Sequence, residues 1–224
     1  MASKQNKKKN TRIINRLLKV LLVVMVLAVI TFGINIFRIS TKGTNDDGAI
    51  DSAKNEFTNE YYTIGNNATE LNKTYFKELT NAVKSKNDSE IASSLVKCFV
   101  TEYYTWTNKD GNYDIGGIQY IFSDRQSDFA SYTRNDYYAD MDLYISQFGN
   151  KNLMEVTNVE ITNVTSVEDM TVLNSSNEEV SYPCVEVSAE WTYGSSSMDL
   201  SETQKSATFS VIKHDGRMEI ASIQ

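Results

Sequence analysis

The sequence predicts an α+β domain in which helices come first along the chain and an antiparallel sheet follows. Between residues 50 and 106, apolar side chains recur at the three- and four-residue spacing of one helix face. From Leu153 onward the period changes to two, the spacing of a strand with one buried face and one wet face. Helices and strands segregated in this way pack as helices on one face of an antiparallel sheet.

Three amphipathic helices are predicted in the first half of the chain. Their apolar stripes are Ile50, Ala53, Phe57, Tyr61 and Ile64; Leu71, Tyr75, Leu79 and Val83; and Ile91, Leu95, Phe99, Tyr103 and Trp106. Asn67 with Glu70 is a candidate cap for the second helix, and Asn87 with Glu90 is one for the third. The apolar spacing over 115–122 predicts a further helix.

The second half predicts a meander of antiparallel strands. Residues 153–173 form one bulged strand or two short strands, because the alternation slips by one position between Val156 and Val159. Alternating apolar positions predict further strands over 185–193 and 207–211.

Two local features delimit these strands. Pro183, the only proline, is predicted to open a strand, where a missing N–H donor is tolerated. The stretch 214–217 contains Asp-Gly, which supplies the positive φ angles of a tight hairpin turn. A last strand follows over 218–223.

The N-terminal part predicts a membrane anchor. Seven of the 22 basic residues and none of the 29 acidic ones lie in 1–19, so the rest of the chain carries a net charge of −14. Residues 20–37 are uncharged and apolar, and at ~1.5 Å per residue they span about 27 Å, close to a bilayer core. This apolar stretch is longer than the core of a signal peptide, and no small-x-small cleavage site follows it. Both observations favour an uncleaved anchor.

The positive-inside rule then gives the topology of a single-pass protein of the cell membrane. Residues 1–19 form a basic cytoplasmic tail, 20–37 a transmembrane helix and 38–48 a polar linker. Residues 49–224 form an extracellular domain. Its acidic charge is a poor match for nucleic acid, so no direct nucleic-acid binding is expected.

Candidate chemistry is sparse, and we predict no catalytic, cofactor-binding or metal-binding residues and no enzyme. The only histidine, His214, lies in the predicted hairpin turn and is expected to be solvated. The run from Asn108 to Asp114 resembles a calcium loop, but Gly111 stands at the fourth position instead of the sixth. Cys98 and Cys184 lie in a compartment that permits disulfides; two buried thiols are slightly favoured.

The sequence is rich in tyrosine, with 13 residues. A single tyrosine commonly fills a core edge with its hydroxyl in water. The doublets Tyr103-Tyr104 and Tyr137-Tyr138 are not explained in this way, because adjacent helical residues are not expected to face the same core. Tyrosine is enriched in protein–protein interfaces, so these doublets favour an interaction surface.

The central motifs carry a family resemblance. They are Phe99-Val100-Thr101-Glu102-Tyr103-Tyr104, then Asn112-Tyr113-Asp114, then Tyr120-Ile121-Phe122-Ser123, then Tyr132. This stretch resembles the VirB8 family of conjugation and type IV secretion proteins, especially the TcpC-like proteins of Gram-positive conjugation. The layout of basic tail, membrane helix, helices and strand meander is also similar.

The resemblance implies an NTF2-like (VirB8-like) fold, with helices packed on a curved antiparallel sheet. It also implies a non-enzymatic scaffold that forms homo-oligomers and contacts other subunits of a membrane transfer complex. Together the motifs and the doublets give a set of candidate protein-interaction residues. These are Tyr103, Tyr104, Tyr113, Asp114, Tyr132, Tyr137 and Tyr138.

Two alternative functions remain open at this point. A membrane-anchored extracellular ligand-binding or sensor module would require an apolar cavity between sheet and helices, with Trp106, Trp191 and tyrosines available to line it. An enzyme using the same cavity would require a buried carboxylate or tyrosine with a perturbed pKa facing it.

Overall fold

Helices pack against a four-stranded antiparallel sheet in the computed structural model, which describes residues 57–224. The α+β prediction is confirmed. The predicted tail, membrane helix and linker over 1–48 lie outside the described residues. Within 57–224, no helix is both long enough and apolar enough to cross a membrane.

The sheet is formed by β1 (Val156–Leu173), β2 (Glu179–Tyr193), β3 (Ser206–His214) and β4 (Arg217–Ile223). The strands are paired in sequence order, each antiparallel to the next. The predicted meander is therefore confirmed, and residues 156–173 form one long strand.

Irregularities in the pairing of β1 with β2 explain the position of the proline. The β1–β2 register shifts between Val156 and Asn158, as the slipped alternation predicted, and shifts again further along the strand. Pro183 lies inside β2, so the prediction that it opens a strand is wrong. It sits opposite the shift between Val167 and Met170, where the regular ladder is interrupted and no N–H donor is required.

The turn between β3 and β4 follows the prediction. Asp215 and Gly216 have φ angles of 47° and 82°. Positive φ at both central residues is the conformation that an Asp-Gly pair favours in a two-residue hairpin.

Two 16-residue helices, α1 (Glu70–Ser85) and α2 (Asp88–Tyr103), form the main helical layer. α2 contacts α1 and also contacts the sheet. Because α2 is covered on several sides, eleven of its residues are buried. A helix that buries a single amphipathic stripe would bury fewer.

The helix caps agree with the sequence in one case of two. Asn87 caps α2: its side-chain oxygen accepts the backbone N–H of Glu90, whose carboxylate accepts from the Asn87 amide. The cap of α1 is Thr69, whose hydroxyl accepts the backbone N–H of Asn72. The prediction of Asn67 as the cap is wrong, because the capping side chain must directly precede the first helical turn, which begins at Glu70.

The first predicted helix, over 50–64, is wrong in its described part. Thr58 and Thr63 pair as an isolated antiparallel bridge, so the chain folds back on itself there. The Asn59 side chain closes this turn by accepting the backbone N–H of Tyr62 at 2.9 Å. The rest of that predicted helix lies outside the described residues.

The predicted helix over 115–122 is also wrong, and only a 3₁₀ turn forms at Ile118–Tyr120. Gly117 precedes the turn with φ of +73°. Ile121 is extended and forms a parallel bridge with Ile220 of β4. Pairing with the sheet edge therefore overrides the helical spacing.

Two short helices complete the described part of the chain. α3 (Gln126–Tyr132) continues directly into a wide π-helical turn at Thr133–Tyr137, and α4 covers Met141–Phe148. Single 3₁₀ turns precede α3 and follow α4.

The side chains form a main core and a small core. The main core lies between the helices and the sheet, and the small core consists of Phe122, Cys184 and Ile212. Cys184 and Val185 are adjacent on β2 but belong to different cores, so the small core covers the opposite face of the sheet. Cys98 is buried in the main core, and both cysteines are free thiols, as favoured from the sequence.

Candidate functional site

An aromatic groove opens between β4 and α3, and its volume is about 430 Å³. We call this the aromatic groove. Its lining residues are Tyr103, Tyr104, Ile121, Arg125, Asp128, Phe129, Tyr132, Tyr137, Gln204 and Ile220 to Ile223. Four of the seven candidate interaction residues therefore meet here, although they lie on two separate segments of the chain.

The floor of the groove is the C-terminal end of α2. Tyr103 ends the helix, and Tyr104 follows it with non-helical φ and ψ of −89° and 0°. The Tyr104 ring packs against Trp191 with centroids 4.6 Å apart, and its hydroxyl donates to Gln204 Oε1 at 2.9 Å. Both tyrosines are buried, so the argument that a helical doublet cannot share one core is wrong here: the helix ends between them.

The π turn that follows α3 sets the position of the second doublet. The Tyr138 N–H donates to Thr133 O at 2.7 Å, a bond one residue longer than in an α-helix. Tyr137 stacks on Tyr103 with centroids 5.0 Å apart and lines the groove. Tyr138 has no exposed surface, and its hydroxyl donates to the Tyr103 carbonyl, so it supports the floor from inside the core.

The rim of the groove is more accessible. Tyr132 is 58% exposed and is the large apolar side chain most available to a ligand there. Arg125 forms an ion pair with Asp128 at 3.0 Å and also donates to the Leu173 carbonyl at the tip of the β1–β2 hairpin. The charges at the rim are therefore already paired with each other.

The groove is uncharged at neutral pH apart from that pair. Burial raises the pKa of Tyr103 to about 12 and raises the pKa of Tyr104 and Tyr137 further above the ordinary value of 10.0. The phenols therefore stay protonated, and the groove presents aromatic faces and aliphatic strand side chains. Such a surface suits apolar side chains or a small apolar ligand.

The remaining two candidate residues lie elsewhere, in a polar pocket of about 430 Å³. We call this the polar pocket. Its lining residues are Gly65 to Ala68, Glu102, Asn108 to Asp110 and Tyr113 to Gly116. Tyr113 is 63% exposed at this pocket, and Asp114 is half-buried.

A buried acid and a buried base line the polar pocket. Glu102 accepts hydrogen bonds from the Tyr120 hydroxyl and the Gly117 N–H, both at 3.1 Å. Lys109 is 4% exposed, and its ammonium donates to Asn108 Oδ1 at 2.8 Å. Burial raises the pKa of Glu102 and lowers the pKa of Lys109, because desolvation disfavours the charged form of each.

Neither Glu102 nor Lys109 was selected as a site residue from the sequence. A signal was present for the first, since Glu102 is the only acid between Cys98 and Thr107, a stretch rich in apolar and aromatic residues. A charged side chain in such a stretch is buried if the helix is covered on several sides, as α2 is. Lys109 lies in a polar loop, and nothing in the sequence distinguishes it from a solvated lysine.

Glu102 makes stability depend on pH. Its folded pKa is raised above the ordinary value of 4.5, so its stabilising contribution is complete below that pH and is lost as pH rises through the raised pKa. Glu102→Gln resembles the protonated acid and does not titrate. We expect the unfolding free energy of the variant, relative to wild type, to increase above pH 4.5 by up to about 1.4 kcal/mol per pH unit. Urea denaturation at a series of pH values measures this difference.

The matched control is Glu202→Gln, because Glu202 is exposed in the loop before β3. Its difference from wild type should stay constant over the same pH series. A constant difference for Glu102→Gln as well would contradict a raised pKa at Glu102.

His214 is not the solvated turn residue that was expected. Its side chain is 14% exposed, and its Nδ1 lies 3.1 Å from Glu219 Oε2 and 3.2 Å from Ser123 Oγ. Ser123 itself donates to Glu219 Oε2 through both its hydroxyl and its N–H. Asp215 Oδ2 lies near the other ring nitrogen, Nε2, but at 3.7 Å it is beyond hydrogen-bond distance, and the Asp215 side chain is 85% exposed. The Ser123 hydroxyl donates to Glu219 instead of to the ring, whereas in a hydrolytic triad the serine donates to one ring nitrogen and a buried carboxylate holds the other. The arrangement therefore serves to hold these segments together.

Across residues 57–224, no group of three or more His, Cys, Asp or Glu side chains is arranged to hold a metal ion. No known protein-family model matches the chain, and neither a curated protein nor a solved structure matches it significantly. The aromatic groove and the polar pocket are the features from which a function can be argued.

Proposed function

We propose that this chain is a non-enzymatic assembly component of a conjugative or type IV secretion channel, anchored by residues 20–37, with an outer domain that binds a protein partner in the aromatic groove. The observation that carries the proposal is the groove itself. It combines exposed Tyr132, an aromatic floor and paired rim charges at the edge of a sheet. Aromatic clusters of this kind are typical anchors for partner side chains.

The placement of the resembling motifs supports the channel assignment. Tyr103 and Tyr104 from the first motif, Ile121 from the third, and Tyr132 all line the groove. Segments separated by up to about 30 residues in the VirB8-like pattern therefore converge on one surface. We also propose that the α+β arrangement is NTF2-like, supported by the order of helices before an antiparallel meander.

The location and the partners follow from the same proposal. The basic tail and the uncharged stretch over 20–37 support a single-pass protein of the cell membrane with residues 38–224 outside. Its partners are other subunits of the membrane transfer complex and further copies of itself.

The test is a DNA-transfer assay in the host of the gene. Deletion is expected to abolish transfer, and the wild-type gene should restore it. Tyr132→Ala should restore about tenfold less, because truncating one interface anchor commonly costs a factor of ten or more in binding. Leu143→Ala is the matched control, since Leu143 is similarly exposed at 63% but lies on α4, outside the groove.

Each part of the proposal has its own contrary outcome. Normal transfer after deletion would contradict a role in the channel. Equal transfer with Tyr132→Ala and with Leu143→Ala would leave the channel role standing but would remove the groove as the partner site.

A second function is favoured by the volume of the same groove. About 430 Å³ lies within the range of roughly 300–1,000 Å³ that is typical of small-molecule pockets. A membrane-anchored module that binds a small apolar ligand or senses it would use that space. Saturable binding of a hydrophobic fluorescent dye, weakened by Phe129→Ala, together with normal DNA transfer after deletion would favour this second function.

A further inference from the structure

The polar pocket holds protein charges of both signs that do not pair with one another. Lys109 supplies an ammonium group, and Asp110 and Asp114 supply carboxylates. Among residues 57–224, no carboxylate forms an ion pair with Lys109 within 4.0 Å, although Asp114 and Glu102 interact with it electrostatically. Opposite charges therefore line one pocket with a gap between them.

Lys109 is unusual because its ammonium group is buried. Its side chain belongs to a residue that is 4% exposed, and an ammonium has three N–H donors, of which one is bound to Asn108 Oδ1. Burying an ammonium without a carboxylate partner is costly. A ligand that brings an anionic oxygen to Lys109 would remove much of that cost.

Gly116 gives the ammonium its place in the pocket. A Cβ at this position would lie 3.0 Å from Lys109 Nζ and 2.0 Å from the Glu102 carbonyl oxygen. The bare glycine backbone therefore lets Nζ approach the pocket wall, and both residues line the cavity.

The acidic half lies on a loop that lines the pocket, over residues 110–114. Asp114 Oδ2 accepts the backbone N–H of Asp110 at 3.2 Å, which fixes the two residues against each other. Their side chains retain further oxygen acceptors, because each carboxylate has about four lone-pair sites. Those acceptors suit an ammonium group on a ligand.

We propose that the polar pocket binds a free α-amino acid. Its carboxylate accepts hydrogen bonds from the Lys109 ammonium, and its amino group donates to Asp114 and Asp110. The volume of about 430 Å³ leaves room for a ligand side chain, with the exposed ring of Tyr113 beside it.

The balance of charge favours a zwitterion over a simple ion. An anion would meet Lys109 but would be repelled by the two aspartates, and a simple cation would leave Lys109 without an anionic partner. An α-amino acid carries both charges, on two groups attached to one carbon, and so pairs with both halves of the pocket.

The test is binding to the full chain purified in detergent. The proteinogenic L-amino acids are screened by thermal shift, and the best one is measured by calorimetry against two half-molecules. For alanine these are propionate, which lacks the amino group, and ethylamine, which lacks the carboxylate. We expect the amino acid to bind at least about tenfold more tightly than either half, because each half loses one set of charge-assisted hydrogen bonds.

Variants of the two halves complete the test. Lys109→Met keeps the aliphatic stem, and Asp114→Asn keeps an oxygen acceptor for Asp110; each should weaken amino-acid binding at least about tenfold. Lys151→Met and Asp169→Asn alter exposed residues outside the pocket and should bind as wild type does.

The contrary results are equally definite. Failure of every L-amino acid to give a saturable signal would overturn the proposal. Binding that is equal for the amino acid and one of its halves, or unchanged in a folded Asp114→Asn variant, would overturn it as well. None of these outcomes bears on the groove, so the proposed channel function is tested separately.

Discussion

Replacing Glu219 with alanine is expected to lower the free energy of unfolding by about 3 kcal/mol, because it takes the ion-pair partner from partly buried Arg217 and leaves the Ser123 hydroxyl and N–H without their acceptor. The Glu219 side chain is 1% exposed. One oxygen lies 2.9 Å from Arg217 Nε, and the other accepts from Ser123 and His214. The loss is measured by urea denaturation.

The position of Glu219 explains why a single carboxylate has this effect. It lies on β4, and its bonds to Ser123 hold the segment that leads into α3. Hydrogen exchange should therefore show the amides of 121–125 becoming less protected in Glu219→Ala. Glu190→Ala is the matched control, since Glu190 is exposed on a strand and faces Glu160 on β1, a like charge. It should be neutral within about 0.5 kcal/mol, and a similar loss in both variants would contradict the role given to Glu219.

The second large effect is expected at Gly116. In Gly116→Ala the new Cβ would lie 2.0 Å from the Glu102 carbonyl oxygen, and that atom belongs to the backbone of a buried helix. A flexible side chain could move aside at little cost, but here the loop must shift away from α2. We expect a loss of about 3 kcal/mol in unfolding free energy, at the upper end of typical overpacking costs.

The chain offers a matched glycine for comparison. A Cβ at Gly65 would meet no atom within 4 Å, and Gly65 has no positive φ. Gly65→Ala should therefore leave stability unchanged or raise it by up to about 1 kcal/mol, because alanine restricts the unfolded chain. Equal unfolding midpoints in urea for the two alanine variants would contradict the close contact between Gly116 and α2.

The parts of the fold that were predicted from sequence depend on local chemistry. Asn87 caps α2 and Asp215-Gly216 makes its turn because neighbouring residues alone determine those conformations. The register shift at Val156 could be predicted because a bulge changes the alternation of apolar and polar residues within one strand. The α+β class followed from the same periodicities.

The wrong predictions have a common cause in long-range contacts. Residues 115–122 have helical spacing, but Ile121 pairs with Ile220, about 100 positions away. The turn at 214–217 predicts a solvated His214, but the rings of Phe122 and Tyr182, from distant parts of the chain, pack against it with centroids 5.2 Å away. Periodicity describes the face that a segment buries, not the partner that covers it.

The candidate site could be predicted only in part from the sequence, because long-range contacts also assemble it. The doublet and the resembling motifs predict Tyr103 and Tyr132 as interaction residues, and the fold brings both to one groove. The other wall comes from β4 and from Gln204, which carry no aromatic signal. The polar pocket needs Lys109 and Asp114 on one side of a folded loop, which no spacing rule predicts.

The outer half of the β1–β2 hairpin has a consequence for how this protein can diverge. Most side chains of β1 beyond Val164 are exposed. Few side chains of this part of the hairpin pack against the small core: Met170 and Val172 of β1 and Tyr182 of β2. The tip is held by Arg125, which donates to the carbonyl oxygens of 173 and 174. Backbone acceptors of this kind survive almost any substitution at the positions that supply them. The sequences of homologues should therefore change fastest in this hairpin and slowest in α2. Sequence similarity between distant homologues should persist in α2 after it has been lost from β1.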